Sequence, residues 1–102
     1  AVPDLALRCH FHNTRQTALA NVVAALDVGV TVFDTSVGGI GGSPFASNAG
    51  GNVATEDLLF LASRSGLETG VDLTATVETA RWLGDRLGHE LPGSGHRLDR
   101  WP

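Results

Sequence analysis

The chain has 102 residues, seven of them Lys or Arg and eleven Asp or Glu, for a formal charge of −4. That length excludes a complete α/β barrel, which needs about 250 residues, and the acidic balance excludes a general nucleic-acid binder, which needs clustered cations to neutralise phosphates. With 42% apolar residues and 13 glycines, the chain is too apolar for a disordered segment and too glycine-rich for a plain helical bundle.

Residues 4–12 alternate: Leu5, Leu7, Cys9 and Phe11 share one face, and Ala6, Arg8, His10 and His12 share the other. Period two predicts a strand whose apolar face packs on helices. A helix is expected over 14–28, with Leu19, Val22, Val23 and Leu26 as its apolar stripe, Asn13 or Thr14 capping its start and Gly29 ending it. Residues 30–37 are β-branched and aromatic and predict a second strand, parallel to the first because a helix separates them. Residues 38–52 hold six glycines in fifteen positions and predict a loop. A second helix should open at Thr55, with Glu56 and Asp57 complementing its dipole and Leu58, Leu59, Leu61 and Ala62 facing inward, and stop at Gly66. A third is expected over 72–87, lined by Leu73, Val77, Ala80, Leu83 and Leu87, with Trp82 in the core. Residues 88–102, including the solvated His89 and His96, predict a disordered tail.

No apolar run approaches the roughly 18 residues of a membrane span, and no basic-then-apolar leader opens the sequence. The sequence opens at Ala1 and contains no Met, which sets the expectation of a processed chain or a piece of a longer one. A lone cysteine, Cys9, excludes an intrachain disulfide and fits a reducing, cytoplasmic setting.

Two features carry chemistry. His10 and His12 project from the same strand face, about 6.5–7 Å apart along the chain, at the carboxyl end where parallel α/β folds bind ligands. They can converge on one metal ion, or be two surface histidines. The glycine pairs Gly38-Gly39 and Gly41-Gly42 let backbone N–H groups approach an anion or carbonyl oxygen. Neither a P-loop nor a dinucleotide fingerprint is present. Asn52 offers an amide oxygen to a hard divalent ion, Ser43 lacks a neighbouring base in sequence, and Asp34 has no role assignable from pattern.

The ordered series His10-Phe11-His12-Asn13-Thr14-Arg15, then residues 17–21, then 33–42, Pro44-Phe45-Ala46, 51–58, 67–73 and 80–83 closely resembles the 3-hydroxy-3-methylglutaryl-CoA lyase family. The resemblance implies the C-terminal portion of a (β/α)8 TIM barrel: residues 1–66 as the last two β/α units, strands seven and eight with their helices, and 67–87 as a C-terminal helical extension. It implies His10, His12 and Asn52 as ligands of Mg²⁺ or Mn²⁺, residues 38–52 as a substrate loop that excludes water, and an acyl-CoA substrate. It also implies the missing N-terminal barrel portion as a partner, with a homodimer in the full enzyme. The reaction implied is cleavage of 3-hydroxy-3-methylglutaryl-CoA to acetyl-CoA and acetoacetate. Two departures stand out. The family's catalytic cysteine position is Ser43, and a hydroxyl cannot exchange a proton near neutral pH as a thiol of pKa ~8.5 can. The first-strand Asp ligand and its neighbouring Arg are absent. Alternatives are a lyase relative acting on another 3-hydroxyacyl-CoA, and a non-catalytic or truncated metal-binding module.

Overall fold

The computed structural model describes residues 5–41 and 51–97. In chain order these form β1 (Arg8–His10), α1 (Ala18–Asp27), β2 (Val32–Asp34), a 3-10 turn at Val37–Gly39, α2 (Thr55–Arg64), α3 (Leu73–Leu87) and a second 3-10 turn at Gly95–Arg97. β1 and β2 pair in parallel, with Arg8 opposite Val32, Cys9 opposite Phe33 and His10 opposite Asp34. The expected strand–helix–strand unit is therefore present, with shorter strands than the alternation predicts.

β1 is short because, among the described residues, no strand pairs with residues 5–7. Leu5 and Leu7, expected against helices, are 63% and 64% exposed, while Cys9 and Phe11 are half-buried. A two-stranded sheet has an open edge on each side, and hydrophobes beyond the paired register stay wet. α1 starts at Ala18, four residues later than the apolar stripe predicts, because a turn intervenes. Gln16 donates its N–H to the Asn13 carbonyl at 3.0 Å and takes a φ of 59°. The N-cap is Thr17, not the expected Asn13 or Thr14, and it makes no side-chain cap bond; Asn13 reaches the first helical residue from further back, its Oδ1 accepting from Ala18 N–H at 3.2 Å. Ala18, Val22 and Ala25 are the buried face of α1, and Val23 turns outward. The helix closes as expected, with Gly29 at φ 95° donating to Leu26 and Val30 donating to Ala25.

α2 opens at Thr55 without a side-chain cap; the Thr55 hydroxyl instead meets the Thr35 hydroxyl at 2.7 Å. α3 is the best-delimited element. Asp72 Oδ1 accepts from Ala75 N–H at 3.0 Å, and Gly88 ends the helix in the left-handed conformation, φ 74°. Val77 and Ala80 are its buried residues among those expected to line it, whereas Leu87 is exposed. Trp82 is a correction: it is 56% exposed and lies under the Arg86 guanidinium, 5.5 Å from its ring centroid, rather than in the core. Three- and four-residue spacings from Ala80 and Val77 do not reach position 82, so its apolar bulk alone suggested burial.

The expected disordered tail is also corrected for residues 88–97. They fold back across α2, α3 and the Val37–Gly39 turn, and Leu91 is 1% exposed. His96, expected in solvent, is buried. The low hydrophobicity of the segment hid this, because polar contacts more than apolar ones hold it. Among the described residues no helix is long and apolar enough to cross a membrane.

Leu91→Ala should cost about 2–5 kcal/mol of stability, the range for a fully buried leucine. The 80% exposed Val28 should tolerate alanine within about 0.5 kcal/mol. Urea unfolding of the two variants measures the contrast, and equal effects would place residues 88–97 outside the core.

Candidate functional site

At the carboxyl end of β1 the two histidines come together. His10 Nε2 and His12 Nε2 lie 3.2 Å apart, with ring centroids 5.1 Å apart and planes at 69°. Across the sheet, Asp34 is the register partner of His10, and its Oδ2 lies 3.9 Å from His10 Nδ1. Asp34 also pairs with Arg8, Nε to Oδ1 at 3.5 Å. Sequence pattern gives Asp34 no role, because register between strands 24 residues apart is not encoded in either strand's periodicity.

Beyond His10 and Asp34 the strands no longer pair with each other, and residues 51–54 bridge them. Phe11 O accepts from Val53 N–H at 3.1 Å, and Gly51 O accepts from Asn13 N–H at 2.9 Å. On the other side Ser36 donates to Val53 O and accepts from Thr55 N–H, both at 3.0 Å. Two isolated bridges result, His12 with Asn52 antiparallel and Ser36 with Ala54 parallel. Residues paired across an antiparallel bridge share a face, so Asn52 stands on the His12 side. Its Nδ2 donates to Ile40 O at 3.2 Å, while its Oδ1 is buried and unpartnered.

These groups fit a divalent cation. Two ring nitrogens 3.2 Å apart span about one edge of an octahedron with bonds of ~2.1 Å. A buried amide oxygen without a donor is costly unless something positive meets it. Among the described residues no cluster of three or more His, Cys, Asp or Glu could hold a metal; the donor set here is two imidazoles and an amide.

The glycine turn differs from expectation. The Gly38 N–H donates to Glu56 Oε2 at 3.0 Å and the Gly39 N–H to Ser36 O at 2.9 Å, so neither is free to cradle an anion. These glycines serve close packing. Both have φ 73°, and a Cβ on Gly38 would overlap the Leu91 side chain. A Cβ on Gly51 would overlap the Gly39 carbonyl, and one on Gly41 would sit 2.8 Å from Asn52 Nδ2. Gly42 and Ser43 lie outside the described residues.

Glu56 and His96 are the groups the sequence reading missed. Glu56 is 0% exposed and takes His96 Nδ1 at 2.9 Å on its Oε1. Its signal was available in part: Glu56, Leu59 and Ala62 form one buried stripe at three-residue spacing, which places a carboxylate on the apolar face. Its partner 40 positions away was not legible. The neighbouring Asp57 accepts from Ser94 N–H at 3.0 Å and Gly95 N–H at 2.7 Å.

Parallel strands joined by a helix, with nitrogen and oxygen donors gathered at their carboxyl ends, make the arrangement in which parallel α/β folds bind ligands. The HMGL-like family model matches residues 1–83. The chain is 48% identical over 91 residues to the (R)-citramalyl-CoA lyase of Chloroflexus aurantiacus, covering 89% of this chain and 29% of that protein. It is 44% identical over 90 residues to the hydroxymethylglutaryl-CoA lyase YngG of Bacillus subtilis, covering 88% of this chain and 30% of that one. The crystal structure of hydroxymethylglutaryl-CoA lyase from Pseudomonas aeruginosa superposes with a TM-score of 0.87 at 43% identity, over 94% of this chain and 32% of that one. The chain belongs to the HMGL-like family, whose fold is the TIM barrel, and it spans about 30% of the length of these relatives.

Gly51→Ala should lose at least twice the stability lost by Gly66→Ala. The latter has φ 72° but open space around it and should cost about 1–2 kcal/mol. Thermal unfolding of both variants tests the contrast, and equal losses would contradict the close approach of residues 39 and 51.

Proposed function

We propose that the chain supplies strands seven and eight, with their helices, to a (β/α)8 carbon–carbon lyase, and that residues 67–87 are a helical extension of that barrel. The leading substrate is 3-hydroxy-3-methylglutaryl-CoA. The observation that carries this reading is the convergence of His10 and His12 Nε2 at 3.2 Å on the strand-end face that also bears Asn52, whose Oδ1 is unsatisfied. His10, His12 and Asn52 hold Mg²⁺ or Mn²⁺, which when bound supplies Lewis-acid polarisation of substrate oxygens.

The chain's own residues do the following. His10 and His12 act as neutral ligands, and Asp34 beside His10 Nδ1 biases its proton to that nitrogen, leaving Nε2 as the donor. The substrate loop begins at Gly38 and Gly39 and continues through Gly41 and Gly42, excluding water from a carbanionic intermediate. The reaction removes the C3 hydroxyl proton, breaks the C2–C3 bond, releases acetoacetate and leaves the acetyl-CoA enolate, which takes a proton at C2. Ser43 stands where the family places its cysteine. A serine hydroxyl donates a hydrogen bond but does not ionise near neutral pH, so it orients or relays and does not act as the acid by itself. The first-strand carboxylate and arginine come from the rest of the barrel, which is this chain's first partner; the full enzyme is cytoplasmic and homodimeric.

A second reading keeps the reaction class and changes the substrate to another 3-hydroxyacyl-CoA. It is favoured by Ser43 and by the 48% identity to a citramalyl-CoA lyase.

The test is an assay of the barrel-completed protein with Mn²⁺ on both acyl-CoA esters. Cleavage of the hydroxymethylglutaryl ester, raised tenfold or more by Ser43→Cys, supports the first reading. Preference for citramalyl-CoA supports the second, and Mn²⁺ binding without turnover of either leaves only a metal-binding module. The 102-residue chain alone should show no turnover above buffer. His12→Ala should weaken Mn²⁺ binding tenfold or more by electron paramagnetic resonance, and unchanged affinity would remove His12 from the ligand set.

A further inference from the structure

We propose that residues 89–97 form a latch that sets the position of the glycine turn beside the candidate site, with His96 as its positioning residue. The consequence for catalysis rests on reading residues 38–41 as part of the substrate loop; the latch itself does not.

Both backbone polar groups of Gly38 depend on the latch. Its carbonyl accepts directly from Gly93 N–H at 2.8 Å. Its N–H is held by Glu56 Oε2 at 3.0 Å, and the other oxygen of that carboxylate is held by His96 Nδ1 at 2.9 Å. The Leu91 side chain fills the space where a Gly38 Cβ would stand. His96 is itself placed from both helices. Arg81 Nε donates to the His96 carbonyl at 2.9 Å, and Asp57 takes the N–H groups of Ser94 and Gly95.

His96 acts through Glu56 and not through contacts of its own. Its Nε2 is buried without a partner, so the imidazole's one described hydrogen bond is spent on the carboxylate. A space-filling role would be met by an apolar residue with no orphaned nitrogen. Holding Glu56 is different: without His96 the buried Oε1 has lost its donor, and a carboxylate that rotates to find another moves Oε2 away from the Gly38 N–H. The effect reaches the donor set within two residues. Ile40 O is the acceptor that fixes the Asn52 amide, at 3.2 Å, and Gly39 and Gly51 are in backbone contact. Moving Gly38 therefore moves the anchor that aims Asn52 Oδ1.

The experiment is amide hydrogen exchange across residues 36–41 and Mn²⁺ affinity, both in the barrel-completed protein. His96→Ala should raise exchange of the Gly38 and Gly39 amides at least tenfold and weaken Mn²⁺ binding severalfold, while the Val22 amide in α1 keeps its protection. His96→Asn, whose side-chain N–H replaces Nδ1, should restore most of both. Gly93→Ala, whose Cβ would approach Glu56 Oε1 to 2.8 Å and Ala54 Cβ to 2.9 Å, should displace the latch and reproduce the effect without removing the imidazole. Should His96→Ala unfold α1 as well, Gly93→Ala decides. Unchanged Gly38 exchange in a folded variant, or no rescue by asparagine, overturns the proposal. Absence of lyase turnover in the wild type would sink the lyase reading and leave the exchange result standing.

Discussion

One buried carboxylate organises the C-terminal half of this structure. Glu56 has no contact with water, and a carboxylate in that setting is tolerated only when donors surround it. The donors it has are the Gly38 N–H and His96 Nδ1. One lies before α2 and the other beyond α3, so satisfying a single side chain brings three stretches of chain to one point. Leaving a buried acceptor without its donor costs about 1–3 kcal/mol, the lower part of the range for truncating a large core side chain. The glycines nearby follow from the crowding around the carboxylate. Gly93 sits where a Cβ would meet Glu56 Oε1 and Ala54, and Gly38 where it would meet Leu91. Residues 89–97 carry one fully buried leucine, and what they gain beyond it is this set of polar contacts.

The sheet end obeys a different constraint. Once β1 and β2 stop pairing, the backbone groups of Phe11, Asn13 and Ser36 need partners, and residues 51–54 provide them. The return of the chain is thus what places Asn52 beside His12. The opposite end of the sheet has no such closure. Leu5, Leu7 and Val32 are exposed apolar groups on or next to two parallel strands, and parallel strands are normally covered on both faces. Among the described residues these faces are left uncovered, and the chain spans about 30% of the relatives' length.

What was legible in the sequence is what is local. Period two puts His10 and His12 on one face, the apolar stripe gives α3 its span of 72–87, and Gly29 and Gly66 end α1 and α2, each within a few residues of the signal. Asn52 is legible as an amide-oxygen donor, and the ordered family motifs strengthen that reading, since an asparagine in a glycine-rich stretch is otherwise ordinary turn chemistry. Asp34 was illegible because strand register is a tertiary fact. Glu56 reads as a helix-dipole residue, because its position in the first turn of α2 satisfies that role equally well. His96 was placed in solvent because its neighbours are Gly, Ser and charged residues, and local composition carries no trace of a partner in another helix. The glycine pairs predict backbone N–H groups that approach an anion or a carbonyl oxygen, and at Gly38 and Gly39 the acceptors are the chain's own, Glu56 and the Ser36 carbonyl. Glycine there answers a packing demand, which composition cannot distinguish from a binding one.

The donor set has a chemical consequence of its own. Two neutral imidazoles and an amide oxygen bring no negative charge to a cation, and the nearest carboxylate, Asp34, is already shared between Arg8 and His10. Hard divalent ions are held mainly by charged oxygen donors, so this set by itself favours weak binding and leaves the ion's charge almost uncompensated. A further carboxylate would raise affinity at the cost of Lewis acidity, and the substrate's own oxygens would compete for the remaining positions. An ion held by this set would draw its negative charge from elsewhere, and what the described residues fix is the placement of two imidazoles and one amide. Direction is what the rigid parts supply: the strand fixes the imidazoles, and the Ile40 carbonyl, held in place through Gly38, fixes the amide.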